Sequence, residues 1–93
     1  MVLPCTLSRT KGSLIAARII ELSLSGVRVV TPRPLALDET LVFELSYGDL
    51  TLQAGTRVIC QERPDLYALR FSALPKPTLK HLHDIITTPH IDH

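Results

Sequence analysis

Ninety-three residues with a 45% hydrophobic and 20% charged share describe one small folded domain with a modest core and exclude a disordered chain. A formal net charge of +1 excludes a global pull toward nucleic acid, and no apolar run approaches the roughly 20 residues that cross a bilayer. Seven of the ten basic residues are Arg, which favours planar, bidentate or stacking contacts over diffuse charge.

Val2 to Ser8 reads as a first strand, with Pro4 at an edge or a strand start. The apolar run after Met1 is short and broken at Pro4, so no signal peptide is expected, and the protein is expected to be soluble and cytoplasmic. Arg9 to Ser13 is a polar turn in which Gly12 supplies a left-handed residue. Leu14 to Leu22 is rich in Ile and precedes the β-type run Gly26-Val27-Arg28-Val29-Val30, so both are read as strands joined by Ser23-Leu24-Ser25. In that turn Gly26 is expected to take a positive φ, and Ser23 and Ser25 to bond nearby backbone groups. Such a turn is either good hairpin chemistry or, through its N–H groups and hydroxyls, an anion site.

Pro32-Arg33-Pro34 stops the third strand, because proline has no N–H for the ladder, and Leu35 to Glu39 is a short loop. Thr40 to Tyr47 alternates, with Leu41, Phe43, Leu45 and Tyr47 on one face and Val42, Glu44 and Ser46 on the other. Gly48-Asp49 turns the chain into a strand from Leu50, with a bulge or bend expected at Gly55 before it resumes through Cys60. Gln61 to Asp65 is the next turn, and Leu66 to Ser72 closes the sheet with Tyr67, Leu69 and Phe71 inward. Pro75-Lys76-Pro77-Thr78 opens a helix over about 77–88 whose apolar stripe is Leu79, Leu82, Ile85 and Ile86; Thr87-Thr88-Pro89 ends it, and His90 to His93 form a tail. The fold class is therefore all-β: a six-stranded antiparallel barrel over about 2–72, followed by one C-terminal helix, in a single domain.

Cys5 and Cys60 lie in separate strands and are expected to be buried free thiols of a reducing compartment. His81 and His83 point in different directions on a helix and have no third ligand nearby, so no metal site is expected. No nucleophile elbow, P-loop, dinucleotide fingerprint or zinc-protease pattern is present, and an enzyme is not expected. The four Phe and Tyr residues fall at inward positions, which argues against stacking on DNA or RNA. Arg18, Arg28, Arg57 and Arg70 sit in or beside strands, either as solvated outward side chains or gathered near the Ser23–Gly26 turn, where they could meet a phosphate or a planar base.

This order of strands, with Glu21-Leu22-Ser23-Leu24-Ser25-Gly26 between the second and third and Leu69-Arg70-Phe71 in the last, resembles the PilZ domain family over nearly the whole chain. That family is a six-stranded barrel with a C-terminal helix. Its signature turn is Asp/Asn-x-Ser-x-x-Gly, and Glu21, Ser23 and Gly26 occupy the matching places, with Glu21 departing from the pattern. The resemblance implies that cyclic di-GMP is the ligand, held at Glu21, Ser23 and Gly26 with nearby Arg18, Arg28 and Arg70. The family's second ligand element, Arg-x-x-x-Arg ahead of the first strand, has no counterpart in these residues. Two functions follow from the resemblance. One is a cyclic di-GMP receptor module without further cofactor. The other is an adaptor that has lost nucleotide binding and acts through a protein partner of a bacterial signalling system, in motility, pili or biofilm control, with neither nucleic-acid binding nor membrane insertion.

Overall fold

The computed structural model describes residues 3–72 and 74–87, with the side chains of Tyr47 and Leu50 outside that description. Period-2 alternation produces six strands: β1 (Leu3–Arg9), β2 (Leu14–Leu22), β3 (Gly26–Val30), β4 (Thr40–Tyr47), β5 (Leu50–Arg63) and β6 (Leu66–Phe71), followed by the helix α1 (Lys76–Thr87). The strands pair antiparallel in the order β1-β2-β3-β6-β5-β4 and close into a barrel. Closure gives every strand a neighbour on both sides, with the start of β1, ahead of Thr6, among the stretches that have one neighbour only.

One face of each strand fills the barrel. Leu7, Ile19, Val29, Phe43, Leu45 and Val58 are all fully buried, and the Phe43 and Phe71 rings meet at 5.8 Å in a tilted pair. The helix adds Leu82 and Ile85 to that same core, with Leu74 and Ile86 packed at its margin. Leu79 is 38% exposed, so the buried stripe of the helix is narrower than its sequence implies: Leu82 and Ile85 meet the barrel and Leu79 faces away from it.

The six-stranded barrel and its terminal helix are those read from the sequence, with local corrections. Pro4 pairs with Arg18 where β1 has β2 alone for a neighbour, since pairing with β4 begins at Thr6; its missing N–H therefore leaves no ladder bond unmade. Gly12 has φ 88°, as its turn requires. Gly55 marks no bulge, because the β4–β5 register runs through Val42↔Gly55 without a shift. The irregularities of β5 lie further on, between Val58 and Cys60 and between Gln61 and Arg63, and they let the strand continue to Arg63, so only Pro64-Asp65 turns. The first of these shifts also overturns the burial expected of Cys60: with Val58 inside, the extra residue Ile59 leaves Cys60 on the outer face, where it is exposed. Cys5 is buried, and desolvation pushes its thiol up to about 12. Val2, the inward placement expected of the Tyr47 side chain, the expected helix end at Thr88-Pro89 and the expected tail His90 to His93 fall outside the described residues.

The segment between β3 and β4 is held by specific bonds. Arg9 Nε reaches Glu39 Oε2 at 2.6 Å while its Nη2 donates to the Pro34 carbonyl at 2.8 Å, and the Leu35 N–H donates to the Tyr67 hydroxyl at 3.1 Å. Burial pushes the Glu39 carboxyl up, but the Ala36 N–H and the Arg9 guanidinium outweigh it and hold the group below the usual carboxylate range.

Candidate functional site

The spacing of apolar residues in β2 shapes the site. Ile15, Ala17 and Ile19 alternate inward, and strict alternation would bury Glu21 next and expose Leu22. Instead the register shifts between Ile19 and Glu21, and Ile20 becomes the extra residue of a bulge. Leu22 returns to the core, and Glu21 lands on the outer face directly opposite Arg28.

The turn that follows is closed by Ser23. Its N–H donates to the Gly26 carbonyl at 2.9 Å, while its Oγ accepts the N–H groups of Ser25 at 3.3 Å and Gly26 at 3.2 Å and lies 3.0 Å from Ser25 Oγ. The Ser25 and Gly26 N–H groups thus point at Ser23 rather than outward, and the turn does not present them to an anion. Gly26 has no positive φ, contrary to the sequence expectation; the left-handed glycines among the described residues are Gly12 and Gly48. Gly26 is needed for another reason. A Cβ at this position would lie 2.2 Å from the Leu69 carbonyl oxygen and 3.2 Å from Arg70 Cα, because β6 passes directly against it in the Gly26↔Arg70 pair.

Outside the barrel, beside this turn, lies a cavity of about 170 Å³. Of the residues singled out in the sequence, Glu21, Ser23, Gly26, Arg28 and Arg70 all line it, with Ile59 and Ala68 completing its wall. Arg18 is not among them. It stands three residues back along β2, opposite Pro4 and Val30, about 10 Å from Glu21 at the rise of a strand.

Charge in the cavity is partly spent internally. Arg28 bonds Glu62 through both Nε, at 2.9 Å to Oε1, and Nη2, and its Nη1 lies 3.4 Å from Glu21 Oε2. The hydrogen bond and charge of Glu62, and behind them the charge of Glu21, hold the Arg28 guanidinium above its ordinary value. Ala68 makes this possible. It pairs with Arg28 on one side and with Cys60 on the other, and its methyl lets the Arg28 side chain cross β6 to reach β5. Glu62 was not legible as a site residue, since it reaches Arg28 only through the second β5 irregularity. The side chain of Arg70, exposed in the same wall, forms no hydrogen bond or ion pair among the described residues.

Chemically the groove offers an acid acceptor, a serine hydroxyl, one carboxylate-bound guanidinium and one open guanidinium around a glycine floor. Such a set suits a planar, hydrogen-bonding, anionic ligand. Among the described residues no cluster of three His, Cys, Asp or Glu side chains is placed to hold a metal ion, and no helix is long and apolar enough to cross a membrane.

The family profile described as PilZ domain matches residues 1–88. Among solved structures, the chain is similar to the PilZ domain of CeSA from a cellulose-synthesizing bacterium, with a TM-score of 0.74 over 92% of this chain and 90% of that one. At 13% sequence identity that likeness is one of fold. No curated protein matches the chain.

Proposed function

The chain belongs to the PilZ domain family, a family of cyclic di-GMP-binding and adaptor modules, and on that premise we propose that it is a signalling module that binds cyclic di-GMP in the outer-face groove beside the β2–β3 turn. The observation that supports this reading is the convergence of Glu21, Ser23, Gly26, Arg28 and Arg70, drawn from three strands and the turn, on one cavity at the family's ligand-facing turn. A volume of about 170 Å³ is below the roughly 300 Å³ at which pockets begin to enclose whole ligands, so it seats one guanine while the rest of the dinucleotide lies along the barrel. Glu21 accepts the guanine N–H groups, Ser23 Oγ holds the turn and bonds the ligand edge, and the missing side chain of Gly26 lets the ligand approach the β3–β6 backbone. Arg28 and Arg70 flank the base, where a guanidinium plane stacks and donates. Ligand entry exchanges the Arg28–Glu62 ion pair for an Arg28–ligand contact, so the site opens at the expense of an existing bond.

Calorimetric titration with cyclic di-GMP tests this. Saturable heat with one site per chain, weakened at least tenfold by Ser23→Ala, is the expected result; no heat at protein concentrations far above micromolar would refute it.

A second reading, the adaptor, has an observation of its own. Leu14 and Val42 stand 66% and 45% exposed on either side of Ser8, in one row across β2, β1 and β4, on the outer face of the barrel. Two apolar side chains flanking a serine make a contact surface for a protein partner. In either reading the module works in the cytoplasm, in the control of motility, pili or biofilm.

A further inference from the structure

We propose that Arg57 and Arg70 form a two-pronged phosphate site on the outer face of β5 and β6, which takes the phosphodiester of the dinucleotide whose base occupies the adjoining groove. The inference deepens the nucleotide-binding reading and rests on it for the identity of the ligand; the anion pair itself rests on geometry alone.

Arg57 and Arg70 are direct cross-strand partners. Side chains so placed start from Cβ atoms about 5 Å apart, and like charges in that position destabilise a sheet. Stable sheets offset such a clash with a carboxylate in the same row or diagonally beside it. Here the row runs Gly26, Arg70, Arg57, Thr40 across β3, β6, β5 and β4. The same-face neighbours along the two strands are Ala68 and Ser72 beside Arg70, and Gly55 and Ile59 beside Arg57. None of these is acidic, and although the Asp38 N–H bonds the Val58 carbonyl next to Arg57, neither arginine forms an ion pair among the described residues. The contrast with Arg28 is internal to the same surface: one arginine there is bound by two carboxylates, and two face each other with none.

The surface between the pair is concave. A second cavity of about 230 Å³ is walled by Arg57, Ile59, Arg70, Phe71 and Ser72, and it shares Ile59 and Arg70 with the cavity at the turn. The two hollows therefore form one trough, running from Ser23 past Arg70 to Arg57. Two forked guanidiniums rising from paired positions can each present two N–H donors to one tetrahedral oxyanion. Ile59, 46% exposed, supplies an apolar floor between the base end and the phosphate end. A ligand with a guanine at one end of the trough and a phosphodiester at the other meets complementary chemistry along its length.

The test is a titration of the full ¹⁵N-labelled chain followed at the arginine Nε–Hε signals, with cyclic di-GMP and, separately, inorganic pyrophosphate as probes. The expected result is that both probes shift Arg57 and Arg70 together and saturably, with Arg18, Arg33 and Arg63 still, and that Arg57→Gln weakens cyclic di-GMP at least fivefold without lowering the melting temperature. If cyclic di-GMP moves the Ser23 and Gly26 amides but leaves Arg57 and Arg70 still, and Arg57→Gln binds as wild type, the phosphate site is overturned and the nucleotide reading survives. If pyrophosphate shifts the pair while cyclic di-GMP shifts nothing, the anion site stands and the nucleotide reading falls. Uniform movement of all surface arginines, or of none with either probe, overturns the site.

Discussion

Replacing Gly26 with alanine should destabilise the barrel by about 2–4 kcal/mol, although no left-handed backbone is involved. The added Cβ would start 2.2 Å from the Leu69 carbonyl oxygen and must retreat to at least 3.0 Å, against backbone that cannot rotate away. The strand pair can yield only by separating β3 from β6. That strains the Phe71 N–H to Ser25 carbonyl bond, 2.9 Å long, which crosses the same gap. Forced overpacking costs about 1–3 kcal/mol and a weakened backbone bond about 1 kcal/mol more. For a domain of this size the sum lowers the melting temperature by roughly 10–25 °C. Urea unfolding with a fluorescent or circular-dichroism readout measures it. Gly26→Asn separates the two possible causes. Asn visits the left-handed region readily, so a φ-driven glycine would be partly rescued by it, whereas a contact-driven one is not, because Asn carries the same Cβ. Asn more stable than Ala by 1 kcal/mol, or Ala within 2 °C of wild type, would refute the close-approach account. Gly12→Ala is the control: φ is 88° and nothing lies within 4 Å, so the cost is the backbone term alone, about 1 kcal/mol.

Other expectations follow from single contacts. Glu62→Gln removes the main partner of Arg28 and should tighten cyclic di-GMP by about three- to tenfold in calorimetry; unchanged or weaker binding would mean that Arg28 does not exchange partners. In a thiol titration with an aromatic disulfide reagent, the exposed Cys60 should react in the native protein and the buried Cys5, with its thiol pushed up to about 12, only after unfolding; a slow Cys60 would contradict the β5 register, and a fast Cys5 the burial of β1. Glu39 is held below its ordinary value, so its contribution is present above the unfolded carboxyl value and is lost as pH falls through the lower folded one. Glu39→Gln should therefore cost about 1 kcal/mol at neutral pH and flatten the fall in stability below about pH 4.5; equal acid slopes in both proteins would remove Glu39 from that account.

The barrel was legible because most strands carry a clean alternation, as in Leu41, Phe43 and Leu45, and because Pro32-Arg33-Pro34 and Gly48-Asp49 punctuate the chain where strands must stop. The misreadings cluster where alternation slips. In β2 a signal was present: Ile19 and Leu22 are three apart, so both can face inward only if one residue is extra, and that residue decides that Glu21 faces Arg28. In β5 no comparable signal exists, since Ile59, Cys60 and Gln61 give no apolar spacing from which to place the shifts. Cys60 and Glu62 were accordingly misplaced or missed. Gly26 was singled out correctly as a special position but for the wrong cause, because a close approach by β6 depends on partner and register, which a local turn pattern does not contain. The five residues gathered at the turn were named from sequence, whereas the exclusion of Arg18 depends on its distance along β2, and the pairing of Arg57 with Arg70 on strands separated in sequence by the Pro64-Asp65 turn and two register shifts.

The central claim is that the outer-face trough, and no other surface of this barrel, receives the nucleotide. A crystal structure of the protein grown with saturating cyclic di-GMP tests it directly. The expected structure has a guanine against Ser23, Gly26 and Arg70, with Arg28 released from Glu62 and a phosphodiester between Arg57 and Arg70. Ligand bound elsewhere on the barrel, with the Arg28–Glu62 pair intact and the trough empty, would contradict it.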